Sequence, residues 1–238
     1  MSIAPSPRAG DQVPPRRRAS PPPRGDATRE QLIKAALVVF ARDGYSAAST
    51  RALAQSAGVN QALIGYHFGG KQGLYLAVFE HIAQRVRSRI EPVATEIAAA
   101  LAQPDPPRSA AHRRRHWLPM LLRVADGMTE LLLGDETEGW AQLIVREQQH
   151  PTEAFDRLYA QFMGPMLGLA TQLLLRLRPD LEPAQARART VAMFGQALVW
   201  RVARAGAQRH MGWKRLADAE RRMVHETVRL TVTALVSA

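Results

Sequence analysis

The stretch "TRALAQSAGVNQALIGYHFGGKQGLY", residues 50 to 75, decides how this chain folds. A short helix opens near Ser49 or Thr50 and runs to Gly58, where the turn needs a positive φ that glycine supplies at no steric cost. Asn60 caps a third short helix, "QALIGYHF"; Gly69 and Gly70 end it, and a fourth helix starts at Lys71. Two short helices joined by a glycine-containing turn match the helix-turn-helix pattern, although spacing alone fits an ordinary three-helix unit equally well. The residues favour the first. A recognition helix must present small or polar groups at its N-terminal end so that its backbone can approach base edges. Asn60, Gln61, Ala62 and Gly65 do so, while Leu63 and Ile64 turn inward.

Gly69-Gly70-Lys71 also has the look of a phosphate-binding loop. A nucleotide-binding loop, however, needs a strand before it, four residues between its first glycine and Gly-Lys, and a Ser or Thr after the lysine. Here Gln72 follows and a helix precedes. What remains is a lysine at a helix start, where free N–H groups and the positive dipole end favour an anion.

Outward from this stretch, "TREQ" from Thr28 reads as a capping box, with Gln31 returning the bond of Thr28. Leu32, Ala36, Val39 and Phe40 recur at helical spacing until Asp43-Gly44 stops that helix. Residues 1 to 27, rich in proline and arginine and poor in large apolar groups, read as a disordered tail, with Arg16, Arg17 and Arg18 either a solvated run or an arm that adds phosphate contacts. Downstream, Leu74, Val78, Phe79, Ile82, Val86 and Ile90 form one stripe on the fourth helix, long enough to connect two domains. After a break at Pro104, Pro106 and Pro107, helices are expected near 109 to 133, 137 to 149, 152 to 178, 183 to 206 and 216 to 236, with "GAQRHMGW" as a loop. No segment alternates with period two, so the expected fold is all-α. Its parts are the tail (1–27), a three-helix DNA-binding head (28–73) and a helical ligand-binding and dimerisation domain (74–238).

Charge agrees with a polyanion partner for the head. The net charge is +11, and residues 1 to 89 hold 13 Lys or Arg against 5 Asp or Glu. There is no cysteine, which excludes disulfides, thiolate metal sites and thiol nucleophiles. No apolar run approaches the roughly 20 residues that span a bilayer, and no signal-peptide core opens the chain; a cytoplasmic protein without membrane partners is expected.

At this point the chain resembles the TetR family of bacterial transcriptional repressors over residues 28 to about 82, through "G-V-N…L-I-x-Y-H-F-x-x-K-x-x-L". The remainder is similar to a smaller, CerR-like branch, through "REQQHPTEAF" at 146 to 155 and "GQALVWRVAR" at 195 to 204. The resemblance implies that Thr50 meets a phosphate and Arg51 a base edge, that Gln61 and Ala62 face bases, that Tyr66 and His67 lie against the backbone or brace the helix, and that Lys71 grips a phosphate. Gly65 departs from the family, which usually has an aromatic residue there; either one contact is lost or the helix sits closer to the groove.

The resemblance further implies an effector cavity. Met120, Met128, Trp140, Phe155, Phe162, Met163, Met166 and Trp200 fall at helical spacings and either fill a core or line such a cavity, with Gln142, Arg146 and Glu147 as its polar groups. One short reading helix buries too little to select a site, so two copies must be joined. Val191, Phe194, Leu198 and Val202 on one helix, with Val224, Val228, Thr231 and Leu235 on another, form stripes for a two-fold four-helix interface; alternatively they close the monomer's own core. The implied function is a repressor that binds a palindromic operator as a homodimer and is released by a small molecule. A non-specific DNA-binding protein and a helical small-molecule-binding protein or enzyme are the alternatives. Catalysis finds little support: His112 and His116 have metal-ligand spacing but three arginines between them, and "REQQH" offers Arg146, Glu147 and His150 without paired carboxylates or a nucleophile turn. No cofactor or metal is expected.

Overall fold

The computed structural model describes residues 24–104 and 109–237, which fold into helices with no strand among them. Three helices, α1 (Arg24–Ala47), α2 (Thr50–Ser56) and α3 (Ala62–Phe68), form the head, and α4 (Lys71–Ala102) runs from it to the far end of the molecule. The body comprises α5 (Ala110–Leu133), α6 (Glu138–Gln149), α7 (Glu153–Leu158), α8 (Gly164–Leu177), α9 (Pro183–Val202), α10 (Arg204–Met211) and α11 (Asp218–Ser237). Between α7 and α8 the helix widens into a π turn over Tyr159–Met163.

Most of the expected tail, together with Arg16, Arg17 and Arg18, lies outside the described residues. From residue 24 onward that expectation is corrected, because α1 begins at Arg24 with Asp26 in its first turn, where a carboxylate suits the helix dipole. Thr28 therefore lies inside the helix rather than at its cap. Gln31 instead donates to Ala57 O at 2.6 Å, tying α1 to the C-terminal end of α2. Gly44 interrupts α1 with φ 79° and ψ 169°, at the position where the sequence ends that helix. "GAQRHMGW" is likewise corrected from a loop to helix: α10 continues to Met211 and ends at left-handed Gly212, and it buries none of its residues.

Two apolar clusters organise the interior. The first joins the head to the body: Leu32, Phe40, Leu53, Ile64, Leu74 and Phe79 are continuous with Leu143 and Leu158, all at most 1 % exposed. The second packs the far half of α4 with α5, α8, α9 and α11. The α3–α4 corner depends on glycine twice. Gly69 closes α3 in the left-handed conformation, and Gly73 lies so close to Phe68 that a Cβ would stand 1.8 Å from the Phe68 carbonyl oxygen. Any side chain there must push α4 away from α3.

His81 of α4 gives the α1–α4 packing a pH dependence. Burial, and then the neighbouring Arg85 guanidinium, hold its pKa below the ordinary imidazole value, against the opposing pull of Glu30. A depressed folded-state pKa means that this contribution is present above the unfolded value of about 6.5 and is lost as pH falls through the folded one. Thermal midpoints measured from pH 7.5 to 5 should fall less steeply for His81→Gln than for the native chain; equal slopes would remove His81 as the cause.

Candidate functional site

The head presents a bare, polar outer surface. Ser49 caps α2, its hydroxyl accepting from Ala52 N at 3.1 Å, and the Asn60 carboxamide accepts from Ala62 N at 2.8 Å, so both short helices start where the sequence places them. Ile64 is buried and Leu63 half-buried, whereas Arg51, Asn60, Gln61, Ala62, Gly65 and Tyr66 are exposed, Tyr66 at 82 %. Thr50 and Gln61 meet across the turn, Gln61 Nε2 donating to Thr50 Oγ1 at 2.9 Å, which fixes the first residue of α2 against the start of α3. These two line a shallow depression with Ala62, Gly65 and Gly70. Nothing lies within 4 Å of where a Gly65 Cβ would point, so the missing aromatic leaves open space rather than a repacked surface. His67 rests edge-on against Tyr66, at 4.9 Å between rings. Lys71 stands at the start of α4 but reaches back over the Tyr45 ring at 4.5 Å and donates to Ser46 O at 3.4 Å.

Behind the head, α4, α5, α6, the π turn, α8 and α9 line a cavity of about 240 Å³ with an almost wholly apolar wall. Trp140, Phe162, Met163 and Met166 face it, as does Met128. Other expected members of this site are corrected. Gln142 is exposed and turned away; Phe155 lies outside the wall with its ring 6.1 Å from Tyr159. Arg146 and Glu147 are used within the chain. Arg146 donates from Nη1 to Phe40 O at 3.3 Å and from Nη2 to Arg42 O, over the end of α1, through space that Gly44 leaves open. Buried Glu147 accepts from Tyr75 Oη at 2.7 Å, Thr152 N at 3.1 Å and Thr152 Oγ1 at 2.8 Å. Burial, then the hydrogen bond to Glu147, pushes the Tyr75 phenol above its ordinary pKa. The polar members of the wall are Thr137 and Gln148, which periodicity alone does not single out.

The expected dimer stripes are corrected as well. Val224 and Val228 are 0 % and 2 % exposed and belong to the monomer's second cluster, as Leu235 does in part. Phe194 and Leu198 line the cavity, and exposed Thr231 hydrogen-bonds within the chain to Gln196. Val191 and Val202 stay on the surface, at 62 % and 54 % exposure, and Val191 also lines the cavity. Val199 on α9 and Met223 and Leu230 on α11 are exposed apolar side chains too, left out of the expected stripes because each helix carries two apolar faces. Among the described residues no group of three or more His, Asp or Glu side chains is placed to hold a metal. One helical run, Glu153–Leu177, is long and apolar enough to cross a membrane by length and composition alone; its apolar side chains supply both clusters and the cavity wall.

A helix-turn-helix head with a bare reading face, carried on an α-helical body that encloses an apolar cavity, defines a DNA-binding regulator. Comparison with known proteins places it more closely. Residues 32–78 match the model of the bacterial regulatory proteins of the tetR family, and residues 120–238 match the C-terminal domain of the HTH-type transcriptional dual regulator CecR. CecR of Shigella flexneri is 32% identical over 206 residues, 86% of this chain and 89% of that protein. The repressor NicS of Pseudomonas putida is 37% identical over 57 residues, 24% of this chain and 27% of its own length. Among solved structures, a TetR-family regulator from Bordetella parapertussis superposes with a TM-score of 0.60 at 15% identity over 86% of this chain and 93% of its own. FadR from Bacillus subtilis in complex with stearoyl-CoA does so with a TM-score of 0.57 at 17% identity, over 87% and 97%. The chain belongs to the TetR family of DNA-binding transcriptional regulators, with a C-terminal domain of the CecR type.

Proposed function

We propose that this regulator is a cytoplasmic repressor, a homodimer that holds a palindromic operator with two copies of α3 and releases it when a small molecule enters the cavity. The observation that carries this reading is the two-sidedness of α6. One face, with Trp140, Ile144 and Gln148, lines the cavity. The other holds the head through Arg146 on the end of α1 and Glu147 on Tyr75 of α4. A ligand that displaces α6 therefore moves the head, and a rigid dimer whose reading helices change separation no longer fits both half-sites, centred about 34–36 Å apart. Coupling of this kind is typically about 1–3 kcal/mol, and it is reciprocal. The fold neighbour that holds stearoyl-CoA supports a small-molecule effector, and the name of CecR, a dual regulator, makes activation the second outcome to score at any promoter. Selection of bound fragments from the source genome, followed by a thermal-shift screen and operator binding with each hit, tests the whole scheme. A hit that stabilises the protein yet leaves operator affinity unchanged would sink the release mechanism.

On the DNA, Thr50 and Lys71 take phosphates, Arg51, Gln61 and Ala62 take base edges, and Tyr66 and His67 flank the backbone. Thr50 occupies one amide hydrogen of Gln61, leaving the other and the carbonyl oxygen for the two-point contact that fits adenine. Lys71 must leave Ser46 O and the Tyr45 ring to reach a phosphate, at small cost because the bond is long and exposed and a cation–π contact at an exposed site is worth only about 0.5–1 kcal/mol. Arg51→Ala and Gln61→Ala should each relax preference at particular operator positions by roughly 1–3 kcal/mol. Lys71→Ala should weaken every sequence alike and lower the salt slope by about one unit. Binding titrations at several salt concentrations, on matched and mismatched operators, separate these effects; a Lys71→Ala protein with altered preference and an unchanged slope would reverse its assignment.

A further inference from the structure

The cavity has an apolar neighbour whose rim carries charge. Between α4, α5 and α8 lies a groove of about 350 Å³, floored by Ile90, Val93, Val124, Phe162 and Met166 and rimmed by Arg87, Arg89 and Arg123, with Glu91 as the one acidic member. Phe162 and Met166 belong to both walls, so two side chains separate the groove from the apolar cavity. They sit at and just after the π turn, a distortion that recurs at functional positions because it re-aims side chains a regular helix would stack. Arg123 is matched by a bidentate pair with Glu96, at 2.7 and 2.8 Å. Arg87 donates to the neutral carboxamide of Gln161 at 3.3 Å, so its charge has no carboxylate in that bond. The first compartment is smaller than the ~300–1,000 Å³ that small-molecule sites usually occupy, and the two together fall inside that range.

We propose that the effector site spans both compartments and takes an anionic amphiphile: an apolar body in the apolar cavity past Phe162 and Met166, and an acidic head, a carboxylate or equivalent, at Arg87. The division of labour follows from the walls. The cavity offers almost nothing but hydrocarbon, which rewards apolar area and cannot hold a charge. The groove adds the exposed Arg87 guanidinium at its rim, where an anion keeps part of its hydration while gaining charge-assisted hydrogen bonds. A ligand of this shape would part the Phe162–Met166 wall and bear on α6 from the cavity side. This inference rests on the effector reading above and adds the chemical class.

Decanoate and 1-decanol, equal in chain length and different in charge, are the probes, measured by calorimetry on the full chain. Decanoate should bind about tenfold more tightly than decanol at low salt. Arg87→Gln should erase that margin while leaving decanol affinity unchanged. Gly127→Leu, whose side chain enters open space in the groove wall, should block decanoate and spare decanol; circular dichroism checks that each variant is folded. Decanol binding as tightly as decanoate, or a margin that survives Arg87→Gln, overturns the anionic head and leaves the cavity reading standing. If neither probe binds up to its solubility, the cavity reading and this inference fall together, whereas operator binding by the unliganded protein tests the regulator reading separately.

Discussion

Leu230→Glu is expected to give a folded chain that runs as a monomer and has lost at least about 100-fold in operator affinity, whereas Val228→Glu is expected to give no folded protein. The two residues lie two positions apart on α11 and differ in what they touch. Leu230 is 71 % exposed, and Val191, Val199, Val202 and Met223 are exposed apolar side chains on α9 and α11, two helices that pack against each other. An exposed face of this kind on two adjacent long helices is suited to a second copy related by a two-fold axis, giving four helices in contact. A glutamate at that position would place two carboxylates near the axis, where leaving water costs several kcal/mol for each. The affinity loss follows from losing bivalency, because one head binding alone forgoes the avidity of about 10²–10⁴ that a linked pair gains. Val228, 2 % exposed, lies in the second cluster, so a glutamate there is an unpaired charge inside the monomer. Sedimentation, circular dichroism and operator titration together decide the matter: a Leu230→Glu protein that stays dimeric and operator-bound at micromolar concentration would move the interface elsewhere.

That prediction also shows where the sequence is legible. In the head, each assignment rests on local chemistry: Ser49 and Asn60 cap, Gly69 and Gly70 end α3, and Ile64 must face inward if Gln61 faces out. All of these need only a few consecutive residues to be read, and the structure places them accordingly. In the body the deciding partners are remote. On α11 Val224, Val228, Val232 and Val236 recur every four residues, and Met223 and Leu230 lie on a different face; periodicity shows two apolar faces and cannot say which one the monomer keeps. Arg146 and Glu147 stand out as charges beside an apolar cluster, which suggests ligand groups, but their partners lie 106 and 72 residues away in the chain. The reading of "GAQRHMGW" as a loop gave too much weight to Gly206 and polar composition; α10 buries no side chain, so it leaves no hydrophobic signature.

Glu147→Ala should cost about 3 kcal/mol of stability and disconnect the effector from the operator. Its carboxylate is the common acceptor for Tyr75 Oη, Thr152 N and Thr152 Oγ1, and Tyr75 is 6 % exposed, so removal strands a phenolic O–H away from water. A buried unsatisfied donor costs about 1–3 kcal/mol, and the truncated side chain leaves a cavity as well; Thr152, which is exposed, recovers its bonds from solvent. Tyr75→Phe should cost less, since Glu147 then keeps Thr152, and the two substitutions should be strongly non-additive because they remove the same bond. Tyr75 also gives a pH signature with a definite sign. Its folded-state pKa is raised, by burial first and by Glu147 second, so its contribution is present below the unfolded value of about 10 and is lost as pH rises beyond it. Tyr75→Phe should flatten that alkaline decline. The functional consequence separates a joint from a mere prop: with Glu147 gone, α6 still lines the cavity, so an effector should still raise the thermal midpoint while operator affinity no longer responds to it. A Glu147→Ala protein within about 0.5 kcal/mol of native stability, or one whose operator binding still answers to effector as before, would show that movement passes from body to head by another route, with Arg146 on the end of α1 the next to test.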